Sequence, residues 1–350
     1  MNNIYIICSY NFNMLDKIYD KSDLKKVIDS MPEQIREAYA FEDKIKLKGI
    51  PDNIIICGMG GSGIAGKILE SYAMGLRLKI PVFCINDYSI PPYTTKNSLF
   101  IISSYSGNTE ETLSCYKEAL KNGHNIIVIT SGGKLMQYAE NDKNALILLP
   151  KGLQPRNALP YLFFPILKLM ERNGLIENQS LYVKKLIESL HKNSKNFNEQ
   201  AELLASQLDE KIPVIYSSTL FAPVAYRWKT QFNENAKTVS YYHIFPELDH
   251  NELNGFKNTK WPLHIIILKD EEDHRRVLKR MSITKNLIKS ENSNVKFTEI
   301  TIKGDDLLTR MFSAIYLGDL TSFYLAMTYA TDPTPVEIIE KLKKEMGPFV

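Results

Sequence analysis

No stretch of this 350-residue chain reaches the roughly 18–20 consecutive apolar residues that crossing a bilayer requires, so no membrane span is expected. Charge of one sign is not in excess either. Lys and Arg number 43 against 40 Asp and Glu, a formal net charge of +3. That balance argues against a basic face for nucleic acid or for a membrane surface. Cysteine is scarce. Cys8, Cys57, Cys84 and Cys115 form no C-x-x-C pair and no Cys/His set with zinc spacing, which fits a reducing, cytoplasmic compartment. The opening MNNIYIICSYNF lacks a basic n-region and a clear apolar core, so no signal peptide is expected. Met14 opens a more usual start, and residues 1–20 are read as an extension that can lie outside the fold. Low-complexity segments are absent. What remains is an ordinary globular composition, 44% hydrophobic and 24% charged, with length for about two domains.

Apolar, β-branched runs alternate with helical patterns in two series. In the first, strands are expected at residues 54–57, 81–85, 99–103, 125–130 and 145–149, with helices at 64–74 and 109–122. In the second, strands are expected at 212–216, 238–243, 263–269 and 295–302, with helices at 222–235, 272–289 and 306–329. Continuous apolar strands between helices predict parallel sheets covered on both faces. The fold class is therefore α/β, with two doubly wound subdomains, each a mainly parallel sheet flanked by helices. Residues 21–155 are read as the first domain, 156–210 as connecting helices and 211–350 as the second domain with a C-terminal helix.

Two loops carry the strongest chemical signals. Gly58-Met59-Gly60-Gly61-Ser62-Gly63 follows a strand and precedes a helix. Glycines there let backbone N–H groups approach an anion, and the helix start adds a favourable dipole. The same letters match the dinucleotide fingerprint G-x-G-x-x-G, with Asp87 after the next strand as a ribose-binding acid. The second loop, Ser103-Ser104-Tyr105-Ser106-Gly107-Asn108-Thr109-Glu110-Glu111, also joins a strand to a helix. Ser104, Ser106 and Thr109 place hydroxyls around one turn, a cradle for a phosphate monoester. A plain helix cap, with Asn108 and Glu111 at capping-box spacing, is the blander and compatible reading. A nicotinamide enzyme has no use for the Ser/Thr loop, whereas a sugar phosphate does.

These loops resemble the paired signatures of SIS (sugar isomerase) domains. With Pro155-Arg156-Asn157-Ala158-Leu159, Phe232-Asn233-Glu234-Asn235-Ala236-Lys237 and Glu247-Leu248-Asp249-His250-Asn251-Glu252, the chain resembles the bifunctional phosphoglucose/phosphomannose isomerases of archaea and some bacteria, from about residue 15 onward. The resemblance implies tandem SIS domains, a homodimer, and interconversion of glucose 6-phosphate, mannose 6-phosphate and fructose 6-phosphate, with no metal and no cofactor. It places the proton-transfer base on Glu234 and the ring-opening histidine on His250, supplied by the neighbouring subunit. Arg156 falls at the substrate, and a C-terminal lysine contacts the ring oxygen, with Lys343 fitting better than Lys341.

The residue types suit that chemistry. Aldose–ketose isomerisation opens a ring and moves a proton between C2 and C1 through an enediol, which needs one base near neutrality. Glu234 follows an amphipathic helix and has asparagine on either side. His250 suits ring opening because its ordinary pKa lies near neutrality, and Glu247, Asp249 and Glu252 stand close in sequence to orient it. A fixed charge on Arg156 suits an enediolate. The expected site is thus Ser104, Ser106 and Thr109 on the phosphate, Gly61 and Ser62 on nearby hydroxyls, and Glu234, His250, Lys343 and Arg156 at the reacting carbons. A non-catalytic SIS-domain binder of sugar phosphates would share the loops but has no need of Glu234 or His250.

Overall fold

Packing divides the described residues into two units, 31–187 with 348–349, and 12–30 with 188–347. The structure, a computed structural model, describes residues 12–41 and 44–349. Of the segment read as an extension, residues 1–11 lie outside the described residues. The rest forms α1 (Phe12–Tyr19), where Phe12 is buried with its ring 5.0 Å from that of Tyr324. A short α2 (Leu24–Asp29) follows.

The first unit starts with α3 (Met31–Tyr39) and continues through β1 (Ile54–Cys57), α4 (Gly60–Gly75), β2 (Val82–Ile85), β3 (Leu99–Ser103), α5 (Glu110–Lys121), β4 (Asn125–Thr130), α6 (Gly133–Asn141), β5 (Ala145–Leu148) and α7 (Leu159–Arg172). Its strands are ordered β2-β1-β3-β4-β5, and every neighbouring pair is parallel. All four residues of β1 are fully buried, which is why the run carries no polar alternation. In this order the chain winds one way from β1 and the other way from β3. The crevice between them is the topological switch point where open α/β sheets bind ligands. Cys57 pairs with Ile102, so the loops that follow Cys57 and Ser103 leave the sheet side by side.

A third loop locks the second one. Gly107 has φ +70, and a Cβ there would come within 1.8 Å of the Gly132 carbonyl oxygen after β4. Gly133, at φ +72, would meet the Ser106 carbonyl at 2.5 Å. Leu135 donates its N–H to the Gly107 oxygen at 2.9 Å, and the Ser131 hydroxyl donates to the Tyr105 oxygen at 2.7 Å. Asn108 does not form the expected capping box. Its Oδ1 accepts from Lys134 N at 3.0 Å, and Thr109 stands at the N-cap of α5. The asparagine serves the inter-loop contact instead of its own helix.

Crossing on α8 (Ser180–Gln207), the chain builds the second unit from β6 (Ile212–Ser218), α9 (Ala222–Glu234), β7 (Tyr241–Phe245), β8 (Leu263–Lys269), α10 (Arg275–Glu291), β9 (Lys296–Thr301), α11 (Leu307–Thr328) and α12 (Glu337–Met346). Strand order is β7-β6-β8-β9, again parallel throughout. Two elements start three residues later than their patterns predict. Thr238 is drawn into closing α9, with its N–H on the Phe232 oxygen and its oxygen accepting Asn233 Nδ2, so β7 begins at Tyr241. His274 accepts the Arg276 N–H through Nδ1 and sets the start of α10 at Arg275. Among the described residues no helix is long and apolar enough to cross a membrane.

The loop lock is testable by comparing two glycines of like conformation. A Cβ on Gly123, at φ +71, would meet nothing within 4 Å. Gly123→Ala should therefore cost only the left-handed strain of about 1 kcal/mol, a melting-temperature fall of roughly 2–4 °C by calorimetry. Gly107→Ala should lower it at least about twice as far, because the carbonyl of Gly132 must also move. Equal falls would show that the two loops are not held against each other.

Candidate active site

At the switch point of the first unit, α4 begins at Gly60 and not at Ile64, so the glycines form its first turn and leave its leading N–H groups at the sheet edge. Gly61 is bare for a packing reason. A Cβ there would lie 2.2 Å from the Pro155 oxygen and 2.8 Å from Arg156 N. The glycine thus admits the single 3-10 turn Pro155–Asn157, which seats Arg156 with its side chain buried at 4% exposure. Ser62 is also buried, and its hydroxyl accepts the Tyr105 N–H at 3.0 Å. It ties the glycine loop to the hydroxyl loop.

Within that second loop, Ser104 Oγ lies 2.9 Å from Thr109 Oγ1 and accepts the Gly107 N–H at 3.1 Å. Ser106 is exposed and accepts the Asn108 N–H at 3.3 Å. The first turn of α5 adds N–H donors with no helical acceptor. Glu110, in that turn, accepts the Tyr88 hydroxyl at Oε1. That bond pushes the Tyr88 hydroxyl up to about 12. Asp87 binds its neighbour's backbone, accepting Tyr88 N at 2.6 Å, so its carboxylate caps its own loop. The first unit therefore brings Gly61, Ser62, Ser104, Ser106, Thr109 and Arg156 onto one edge.

In the second unit, Glu234 is the last residue of α9 and is half-buried. Its carbonyl accepts Lys237 Nζ at 2.5 Å, and the same ammonium reaches the Pro333 oxygen at 3.0 Å. Lys237 itself sits at φ +55. Asn235, fully buried, donates Nδ2 to Ser322 Oγ at 2.9 Å, while Asn233 closes the turn on Thr238. The two flanking asparagines are thus structural anchors of the turn that presents Glu234.

His250 lies elsewhere. It ends the short turn Glu247–His250 beyond β7 and is exposed. The acids expected to orient it have other partners. Asp249 accepts from Arg280 Nη1 at 2.9 Å and from Thr284 Oγ1 at 2.6 Å. Glu252 accepts the hydroxyl of buried Tyr216, and Glu247 accepts Asn251 Nδ2. Together they clamp the segment and leave His250 projecting from it. Because β6 and β7 are parallel, α9 must return the chain to the amino edge of the sheet. Glu234 is therefore at one edge and His250 at the other. The five residues of β7 alone separate them by roughly 16 Å at ~3.3 Å per residue.

Lys343 lies on α12, which has no buried residue, and pairs with Glu340 at 2.9 Å. Lys341 pairs with Glu345 at 3.8 Å. Both lysines are on an exposed helix, and neither has a buried partner. Sequence reasoning missed the Ser131-Gly132-Gly133 loop, although Ser-Gly-Gly between a strand and a helix was a readable signal. It also missed Tyr88 and the double contact of Lys237, which no local pattern announces.

Two family models match the chain: a SIS domain over residues 50–149, and a bacterial phospho-glucose isomerase C-terminal SIS domain over residues 197–346. The bifunctional phosphoglucose/phosphomannose isomerase of Caldicellulosiruptor bescii is 42% identical over 91% of this chain and 97% of that one. The protein of the same name from Thermoplasma volcanium is 38% identical over 89% and 97%. Among solved structures, a putative phosphosugar isomerase from Clostridium difficile 630 shares the fold at TM-score 0.69 and 17% identity, covering 91% of this chain and 97% of that one. With two SIS domains in tandem and this level of identity across both, the chain belongs to the bifunctional phosphoglucose/phosphomannose isomerase family.

Proposed function

We propose that this protein interconverts glucose 6-phosphate and mannose 6-phosphate with fructose 6-phosphate, as a homodimer in the cytoplasm. The observation that carries the reading is the Ser104–Thr109 hydroxyl pair, 2.9 Å apart at the start of α5 and backed by the loops after β1 and β4. A phosphate monoester fits there, since hydroxyls and unpaired N–H groups together satisfy its oxygens. Anchoring the far end of the hexose turns binding energy into orientation of C1 and C2. Family membership supplies the reaction, and the named relatives lend no support to a binder without catalysis.

In the proposed cycle, Ser104, Ser106 and Thr109 take the phosphate, with Gly61 and Ser62 shaping the floor beside it. His250, helped by Lys343, moves the proton that opens the ring. Glu234 takes the C2 proton and returns it to C1, and Arg156 stabilises the charge on the enediolate. For mannose 6-phosphate, rotation about C2–C3 presents its C2 proton to the same carboxylate. The separation of Glu234 and His250 on opposite sheet edges supports a site that takes its histidine from a second copy of the chain.

A coupled assay on fructose 6-phosphate should yield both aldose products, with a rate unchanged by chelator. Loss of activity on chelation would point to another isomerase class. Glu234→Gln should lower kcat by about 10²–10⁴-fold with little change in KM, as expected when a general base is removed. Mixing inactive Glu234→Gln with inactive His250→Ala should restore about a quarter of wild-type activity, because half of the randomly paired dimers would hold one intact site. No recovery after verified subunit exchange would place His250 in its own chain's site or outside catalysis.

A further inference from the structure

We infer that a buried polar ladder between α9 and α11, built from Arg227 and Asn235 on one side and Asp319 and Ser322 on the other, is what positions Glu234 for proton transfer. The inference rests on Glu234 being the base and adds the residues that aim it.

Arg227, Gln231 and Asn235 follow one another at four-residue spacing, so they share one face of α9 and its final turn. They are 1%, 1% and 0% exposed. Opposite them on α11, Asp319 is 3% exposed and Ser322 is fully buried. Arg227 grips Asp319 with two bonds, Nε to Oδ1 at 3.0 Å and Nη2 to Oδ2 at 2.6 Å. Eight residues on, Asn235 Nδ2 donates to Ser322 Oγ at 2.9 Å, and Ser322 donates onward to the Asp319 carbonyl at 2.7 Å. Ser322 therefore has its proton committed and a lone pair facing Asn235. The backbone N–H of Asn235 is fixed as well, on the Gln231 oxygen at 2.8 Å. The peptide that joins Glu234 to Asn235 is thus held by both helix and ladder.

Beside the Arg227–Asp319 rung the helices touch closely. A Cβ on Gly318 would come within 2.3 Å of Trp228 Nε1, whose N–H donates to the Ala314 oxygen at 2.8 Å. Apolar side chains could fill this interface equally well, since a buried ion pair is seldom more stable than a well-packed hydrophobic replacement. What the polar pairs supply is discrimination. A shift of α9 along α11 leaves a guanidinium and a carboxylate buried without partners, whereas methyl groups tolerate sliding. Proton abstraction from carbon needs that discrimination, because the reacting atoms must meet at about 3–3.5 Å. Arg227 and Asp319 are 92 residues apart in sequence, so the ladder is a tertiary device. These four are positioning residues and act through the Glu234 turn.

The test compares Ser322→Ala and the apolar pair Arg227→Met/Asp319→Leu with wild type, using glucose 6-phosphate carrying hydrogen or deuterium at C2. Both variants should melt cooperatively, keep KM within about two-fold, lose at least about ten-fold in kcat and show a larger isotope effect, as proton transfer becomes the slower step. Should the double variant fail to fold, Ser322→Ala decides alone. Wild-type-like kcat in folded variants would overturn the ladder's role, as would a fall in kcat with an unchanged isotope effect. Glu234→Gln is run beside them. If it is inactive while Ser322→Ala is normal, only the ladder fails. If Glu234→Gln is itself active, the base assignment fails first.

Discussion

Backbone N–H groups without helical acceptors, gathered where two parallel strands part, are the constraint on which the first unit depends. The order β2-β1-β3-β4-β5 opens the sheet between β1 and β3, and the paired register of Cys57 with Ile102 sets their loops side by side. Everything near that opening keeps the donors free and close together. Gly61 admits the Arg156 turn, Ser62 ties the first loop to the second, and Gly107 with Gly133 seats the second loop on the third. The Tyr88 hydroxyl donates to Glu110. The result is an edge that carries hydroxyls, backbone amides and the buried guanidinium of Arg156, with the Glu110 carboxylate engaged by Tyr88.

The second unit solves a different problem with the same fold. Its catalytic candidates do not gather at the carboxyl edge of the sheet. Glu234 closes α9 at the amino edge, held by Asn233, Asn235 and Lys237, while His250 stands on a clamped segment past β7. In both units, precision comes from groups spent on the backbone or on one another, and few side chains are left for substrate.

The strands and their order of appearance were legible because burial on both faces leaves uninterrupted apolar runs, as in residues 54–57 and 263–269. Both glycine- and serine-rich loops could be read because their composition is costly without a ligand or a close contact to justify it. Roles that depend on distant partners were not legible. Asn108 looks like a helix cap until Lys134 is seen across the loops, and Thr238 looks like strand until Asn233 claims it. In the sequence Arg227 and Asp319 are two charges far apart on two separate helices. Only the packed interface makes them a pair. Acids beside His250 in sequence suggested an orienting role, yet their reach carries them to Arg280, Thr284 and Tyr216.

The most direct measurement of the central claim is solvent deuterium entering C1 of fructose 6-phosphate, followed by NMR in heavy water alongside calorimetric binding of the same sugar. The account predicts rapid incorporation by the wild-type protein, and none above background by Glu234→Gln while its affinity for fructose 6-phosphate stays unchanged. Incorporation by Glu234→Gln at the wild-type rate would contradict it, since the proton would then be moved by another group.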